Sequence, residues 1–142
     1  MFLGHYGVGF AAKRFAPDTS LGVFFIAALL PDLLWPVLVL LGVERVAIAP
    51  GVTRVSPLVF EYYPYSHSLL SVALWAAAFA LLYLLAGGGR KTASVLGLAV
   101  LSHWALDALV HRPDLPVTPG GGLKAGLGLW DSVAATIAVE GG

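Results

Sequence analysis

Val95-Leu-Gly-Leu-Ala-Val-Leu-Ser-His103-Trp-Ala-Leu-Asp107-Ala-Leu-Val-His111 is the stretch whose reading decides the fold. Three ionisable residues stand four apart in an otherwise apolar run, so His103, Asp107 and His111 stack on one face of a helix. In hydrocarbon a charge costs at least a few kcal/mol, so these groups have to face something other than lipid tails. His5, Asp32 and His67 lie in or beside other apolar runs, and every histidine of the chain belongs to this set. A polar, metal-binding site inside a membrane helix bundle explains the placement best.

Composition agrees. Of 142 residues, 58% are hydrophobic and 11% charged, with a mean hydropathy of +0.86. Soluble domains carry roughly 25% charged residues, so the deficit is about twofold. A soluble fold of this size could not hide that much apolar surface. The formal net charge is zero and no basic stripe is present, which argues against nucleic acid as a partner. Without cysteine, disulfides, thiolate nucleophiles and Cys-ligated zinc are excluded. The N-terminus does not read as a signal peptide, because Lys13-Arg14 follows the first apolar residues.

The fold class expected is all-α: residues 1–142 form a single membrane-embedded helical domain, a polytopic bundle of about four membrane segments plus a short N-terminal helix, with no sheet. The first segment, Leu21 to Val43, is interrupted by Pro31-Asp32 and Pro36, where a break or kink is expected. His67 to Ala86 starts at Ser66 or Ser68 caps and ends at Gly87-Gly88-Gly89. Thr92 to Val110 is the His/Asp helix, closed by Arg112-Pro113. Leu123 to Val139 is short and glycine-rich and carries Asp131. It stops at Gly142, as a truncated chain or a partly embedded helix would. Gly126/Gly128 and Ala134/Ala138 suit close helix contacts.

Phe2 to Phe15 reads as a short helix, followed by a turn at Pro17-Asp18-Thr19-Ser20. If it folds back on the first segment, His5 and Asp32 each lie about 18 to 20 Å from that turn, and the hairpin brings them together. Glu44 to Tyr65 reads as a connector, with Ser56-Pro57 as a helix start and Phe60, Tyr62, Tyr63 and Tyr65 at the membrane interface. Lys13-Arg14 and Arg90-Lys91 fall on one side of the membrane, Arg45, Arg54, Arg112 and Lys124 on the other. The numbers tie, and only the compactness of the first two patches favours placing them in the cytoplasm.

Each candidate also has a structural explanation. His111 fits a helix C-cap as well as a ligand, and His5 fits an exposed terminal residue. Asp32 could cap the half-helix after the break, His67 could sit at the interface, and Asp131 could pair with Lys124. Asp107 is hardest to explain away, because a carboxylate that deep needs a cation, a metal or a proton. Trp75, Trp104 and Trp130 read as packing residues.

His5 near the start, Pro31-Asp32, Ser66-His67-Ser68 at a span start and His103-x3-Asp107 in a later span resemble the bacterial membrane-bound metal-dependent hydrolases, inner-membrane proteins of largely unassigned substrate. That family shows Asp-x-Asp-His after the proline and a His-Arg-Gly-x-Thr-His block. Here Asp32-Leu33-Leu34-Trp35 and Tyr62-Tyr63-Pro64-Tyr65-Ser66-His67 stand in their place, without the second carboxylate, one histidine and the arginine. The five retained residues suffice for one site.

The resemblance implies an inner-membrane localisation and a metal-dependent hydrolase. His5, Asp32, His67, His103 and Asp107 are the ligand candidates, Asp32 and Asp107 the catalytic carboxylates, and zinc the expected divalent metal. The partners expected are membrane lipids and a lipid-like substrate with a phosphoester or acyl bond, and the chain could also self-associate. Two other functions fit the same residues: an ion- or proton-coupled transporter subunit, which at this size has to oligomerise, and a membrane scaffold held by a structural metal or a hydrogen-bond network. No Gly-x-Ser-x-Gly is present to argue for a serine hydrolase.

Overall fold

A computed structural model describes residues 1–140 of the chain, and these are mostly helical. Helix α1 (Phe2–Lys13) is joined by a tight turn to α2 (Leu21–Ala28), where the Ser20 hydroxyl accepts from the Val23 N–H. Helix α3 (Leu30–Leu40) follows after a break at Leu29 that bends the pair by 54°. Pro31 causes it, since it lacks the N–H that would bond back to Ala27. Pro36, expected to break the segment as well, lies inside α3 without ending it.

Two long helices complete the frame, α5 (Leu69–Leu85) after the single-turn α4 (Pro64–His67), and α6 (Arg90–Val110). Phe24, Val72, Leu96 and Val100 are fully buried where α2, α5 and α6 meet. Ala12, Ala27, Ala76 and Ala99 line the same core. Small side chains let the backbones approach closely, as in packed membrane helices.

The expectation of a sheet-free chain does not hold. Strands β1 (Arg45–Ile48) and β2 (Leu58–Tyr62) form an antiparallel hairpin pairing Val46 with Phe60 and Ile48 with Leu58. β-Branched and aromatic residues favour a pleated surface, and Gly51 turns the chain at φ +86°. Ser56-Pro57 precedes β2 rather than starting a helix, with the Ser56 hydroxyl accepting from the Leu58 N–H. In a second pair, β3 (Leu115–Pro116) and β4 (Lys124–Ala125), β4 occupies the start of the segment expected to be the last span.

That segment is otherwise a 3-10 turn (Leu129–Asp131) and the eight-residue α7 (Val133–Glu140). Gly126 does make a close contact, but as extended chain crossing the end of α6: a Cβ there would lie 2.0 Å from the Arg112 carbonyl oxygen. Leu127 and Gly128 donate their N–H groups to Ala108 and His111 carbonyls, satisfying the helix end. Ala134 and Ala138 are exposed, so they mark no helix contact. Among the described residues, α6 alone is long and apolar enough to cross a membrane, or two elements if the bent α2–α3 pair is one broken span. About four were expected.

Candidate metal centre

The ionisable face of α6 meets three other elements near its C-terminal end. α1 brings His5, the start of α3 brings Asp32, and α4 brings His67. All five predicted ligands converge there. Two groups, His5/His103/Asp107 and Asp32/His67/His103, have donor atoms close enough to hold a metal ion. The hairpin of α1 and α2 does what its arm lengths implied: His5 stacks on His103 with ring centroids 3.8 Å apart, and Asp32 Oδ1 lies 3.6 Å from His103 Nε2.

Four atoms of these two overlapping sets face one another. His103 Nε2 is 3.2 Å from Asp107 Oδ2, and His67 Nε2 is 3.8 Å from that oxygen and 3.4 Å from Asp32 Oδ1. A cation holding donors at about 2.0–2.1 Å in a tetrahedron sets them roughly 3.3 Å apart. The spacing fits. Despite its short distance to Asp107, His103 Nε2 is buried without a hydrogen bond, while Nδ1 of the same ring donates to the Ala28 carbonyl at 2.9 Å. That carbonyl ends α2 at the break, where helical carbonyls lose their partners. In the neutral ring a donor held at Nδ1 leaves Nε2 as a lone pair aimed at a carboxylate, an arrangement that a cation between them would complete.

The other oxygen of Asp107 is occupied differently. His5 Nε2 reaches Asp107 Oδ1 at 3.2 Å, and the Met1 amino group contacts the same oxygen. His5 Nδ1 has no hydrogen-bond partner. Burial lowers the His5 pKa, against the hydrogen bond to Asp107, and so favours the neutral ring that a metal ligand needs. The two carboxylates differ in access: the Asp107 side chain is 4% exposed and that of Asp32 38%.

His111, left open between cap and ligand, is both the C-cap of α6 and part of the rim. Its Nε2 lies 3.9 Å from Asp107 Oδ2, and its Nδ1 is 3.2 Å from Asp114 Oδ1. Tyr63, whose hydroxyl also donates to Asp114, has its pKa raised by burial and by that carboxylate. Asp131 is exposed and stands outside the site.

A cleft of about 360 Å³ opens onto Asp32, His67, Asp107 and His111, with walls that include Trp35, Phe60 and Trp130. Trp104 packs against the helix core and donates to the Pro116 carbonyl, whereas Trp75 donates to the Tyr65 carbonyl from an exposed position. Trp130 packs as well, its ring 4.6 Å from His111, and it also lines the cleft. Trp35, in the position where the resembled pattern has histidine, is a wall residue whose indole N–H is buried without a partner.

Sequence reasoning missed Glu44. It is 1% exposed and accepts hydrogen bonds from the Tyr65 and Ser66 N–H groups and the Ser66 hydroxyl. No sequence signal separates it from Glu61, which is exposed in the same connector. No family model, characterised protein or solved structure matches this chain.

Proposed function

We propose that the chain is a membrane-embedded, zinc-dependent hydrolase of a lipid-like acyl ester, of the kind that its resemblance to the membrane-bound metal-dependent hydrolases implies. The observation that carries this reading is the pair of overlapping donor sets, His5/His103/Asp107 and Asp32/His67/His103, beside an apolar cleft. His67, His103 and Asp107 hold the ion, with His5 steadying Asp107 through its other oxygen. When bound, the ion supplies Lewis acidity that polarises an ester carbonyl and acidifies a water.

Asp32 is the general base. It is the open carboxylate, and with Oδ1 turned toward the imidazoles its second oxygen can take a proton from water and return it to the leaving alcohol. Trp35, Phe60 and Trp130 exclude bulk water from the floor. Beyond Trp130, a second groove of about 390 Å³ shares Ser56 and Trp130 with the cleft and runs to Ile137, a path suited to an acyl chain. The apolar cleft walls and this groove are what favour an acyl ester. Charge does not choose between the ester types, because the Met1 amino group lines the cleft beside Asp107 and adds its charge to those of one divalent ion and two carboxylates.

The membrane reading is supported by the outer faces. Leu40, Leu82, Leu85 and Leu98 are each at least 65% exposed, a poor arrangement in water and a natural one in lipid. Helix α5, at about 26 Å, is near the lower limit for a span, and α7, at about 12 Å, can only lie partly embedded. Metal analysis of detergent-purified protein, with hydrolysis of 4-nitrophenyl acyl esters, tests the proposal. Wild type should carry about one Zn2+ and lose turnover on chelation, and His103→Ala should have neither metal nor activity. Protein without stoichiometric metal after Zn2+ supplementation, or chelator-insensitive turnover, would overturn it.

A further inference from the structure

We infer that Glu44 is a positioning residue that acts through Ser66 to keep the Nε2 atom of His67 free of a proton and available to a divalent cation. The inference rests on the metal reading above and deepens it. Glu44 reaches the interior because Gly42, at φ +71°, ends α3 with the Val43 and Glu44 N–H groups both bonded to the Leu38 carbonyl. Its carboxylate then covers the start of α4: Oε1 accepts from the Tyr65 and Ser66 N–H groups at 2.8 and 2.9 Å, and Oε2 lies 2.6 Å from the Ser66 hydroxyl oxygen. That hydroxyl oxygen is 2.7 Å from His67 Nδ1.

Proton accounting sets the direction of this relay. An ionised carboxylate only accepts, and a serine hydroxyl has one proton. With two N–H donors on Oε1 and a short contact on Oε2, Glu44 is served by three donors, and the Ser66 proton goes to Oε2. Ser66 Oγ therefore accepts from His67 Nδ1–H. The neutral ring has no second proton, so Nε2, at hydrogen-bonding distance (3.4 Å) from Asp32 Oδ1 and 3.8 Å from Asp107 Oδ2, faces acceptors that only a cation or a further proton can bridge. His103 reaches the same tautomer through the Ala28 carbonyl. Ser66 is fully buried, so it serves as a link in this chain and not as a nucleophile toward the cleft.

Glu44→Gln tests the relay at nearly constant volume. The introduced amide can keep both backbone contacts through its oxygen, but its NH2 group donates to Ser66 Oγ. The Ser66 proton must then turn to His67 Nδ1, moving the imidazole proton to Nε2. The measurements are 15N shifts of the imidazoles in metal-free, detergent-solubilised full chain, and Zn2+ affinity by chelator competition. Wild type should show His67 protonated at Nδ1. Glu44→Gln should show it protonated at Nε2 and bind Zn2+ about 10- to 100-fold more weakly, the usual effect of losing an outer-shell partner.

Should Glu44→Gln fail to fold, Ser66→Ala decides. It should leave His67 as a tautomer mixture and weaken Zn2+ several-fold, and an unchanged tautomer with unchanged affinity overturns the proposal. Wild type that binds Zn2+ with His67 protonated at Nε2 when metal-free, or a Glu44→Gln protein equal to it in both measurements, refutes the relay alone. Wild type that takes up no Zn2+ while His67 keeps its Nδ1 proton refutes the metal reading, and with it the purpose assigned to Glu44.

Discussion

Asp107→Asn separates a metal centre from a hydrogen-bonded cluster, because it keeps the volume of the side chain and removes its charge. In the native site Oδ2 stands 3.2 Å from His103 Nε2 and Oδ1 is held by His5. Under the metal reading the substitution removes one of three ligands and half of the anionic charge facing the ion. Zn2+ at 100 times its Kd stabilises the native state by about 2.7 kcal/mol. At roughly 2–4 °C per kcal/mol for a chain of about this length, that is a melting shift of about 5 to 11 °C. Differential scanning fluorimetry in detergent, with and without chelator, reads it. Wild type should melt lower by that amount after chelation, and the variant should melt at one temperature in both conditions. If protons hold the cluster together, as a His103 imidazolium paired with Asp107, the variant instead strands a buried charge at a cost of about 3–5 kcal/mol. Chelator then moves neither protein. A wild-type melting curve indifferent to chelator, with no metal bound, refutes the reasoning.

The other substitutions probe separate parts of the site and scaffold. Asp32→Asn should retain most of the Zn2+ that His103→Ala loses while its kcat falls about 10²- to 10⁴-fold, as expected for a general base; paired metal and ester-hydrolysis assays check it, and full activity removes Asp32 from that role. Trp130→Ala should raise KM for long-chain 4-nitrophenyl esters more than for acetate, since the two grooves meet at its ring; an equal effect on both argues against an acyl path. Gly126→Ala should destabilise the chain by about 1–3 kcal/mol, because a Cβ would meet the Arg112 carbonyl and the backbone holds φ +145°; an unchanged melting temperature would contradict the close approach.

The His/Asp face of α6 was legible because helical spacing and apolar surroundings leave a buried carboxylate few explanations. His5 and Asp32 were legible for a different reason, the nearly equal arms of one hairpin. The β1–β2 hairpin was not. Its strands mix β-formers with Tyr62 and Phe60, residues that suit a membrane interface equally well, and Ser56-Pro57 opens a strand turn with the same residues that open a helix. The cleft walls were hidden as well. Trp35 follows the helix break and Trp130 sits in a 3-10 turn, so neither shares a periodic face with the ligands.

The orientation of the site was illegible for a deeper physical reason: backbone ends supply much of it. A straight helix through Leu29 would bond the Ala28 carbonyl to the Asp32 N–H, the i to i+4 partner. The break frees that carbonyl for His103 Nδ1 and turns Asp32 toward the same imidazole. One proline thus gives the site both a carboxylate and the acceptor that sets the tautomer of its neighbour. α4 repeats the logic from the opposite end, where its first N–H groups fix the Glu44 carboxylate that orders Ser66 and His67. Both imidazoles therefore present Nε2 because a helix ends beside each of them. A continuous α2–α3 rod with all five side chains intact would keep the composition of the site and lose its geometry.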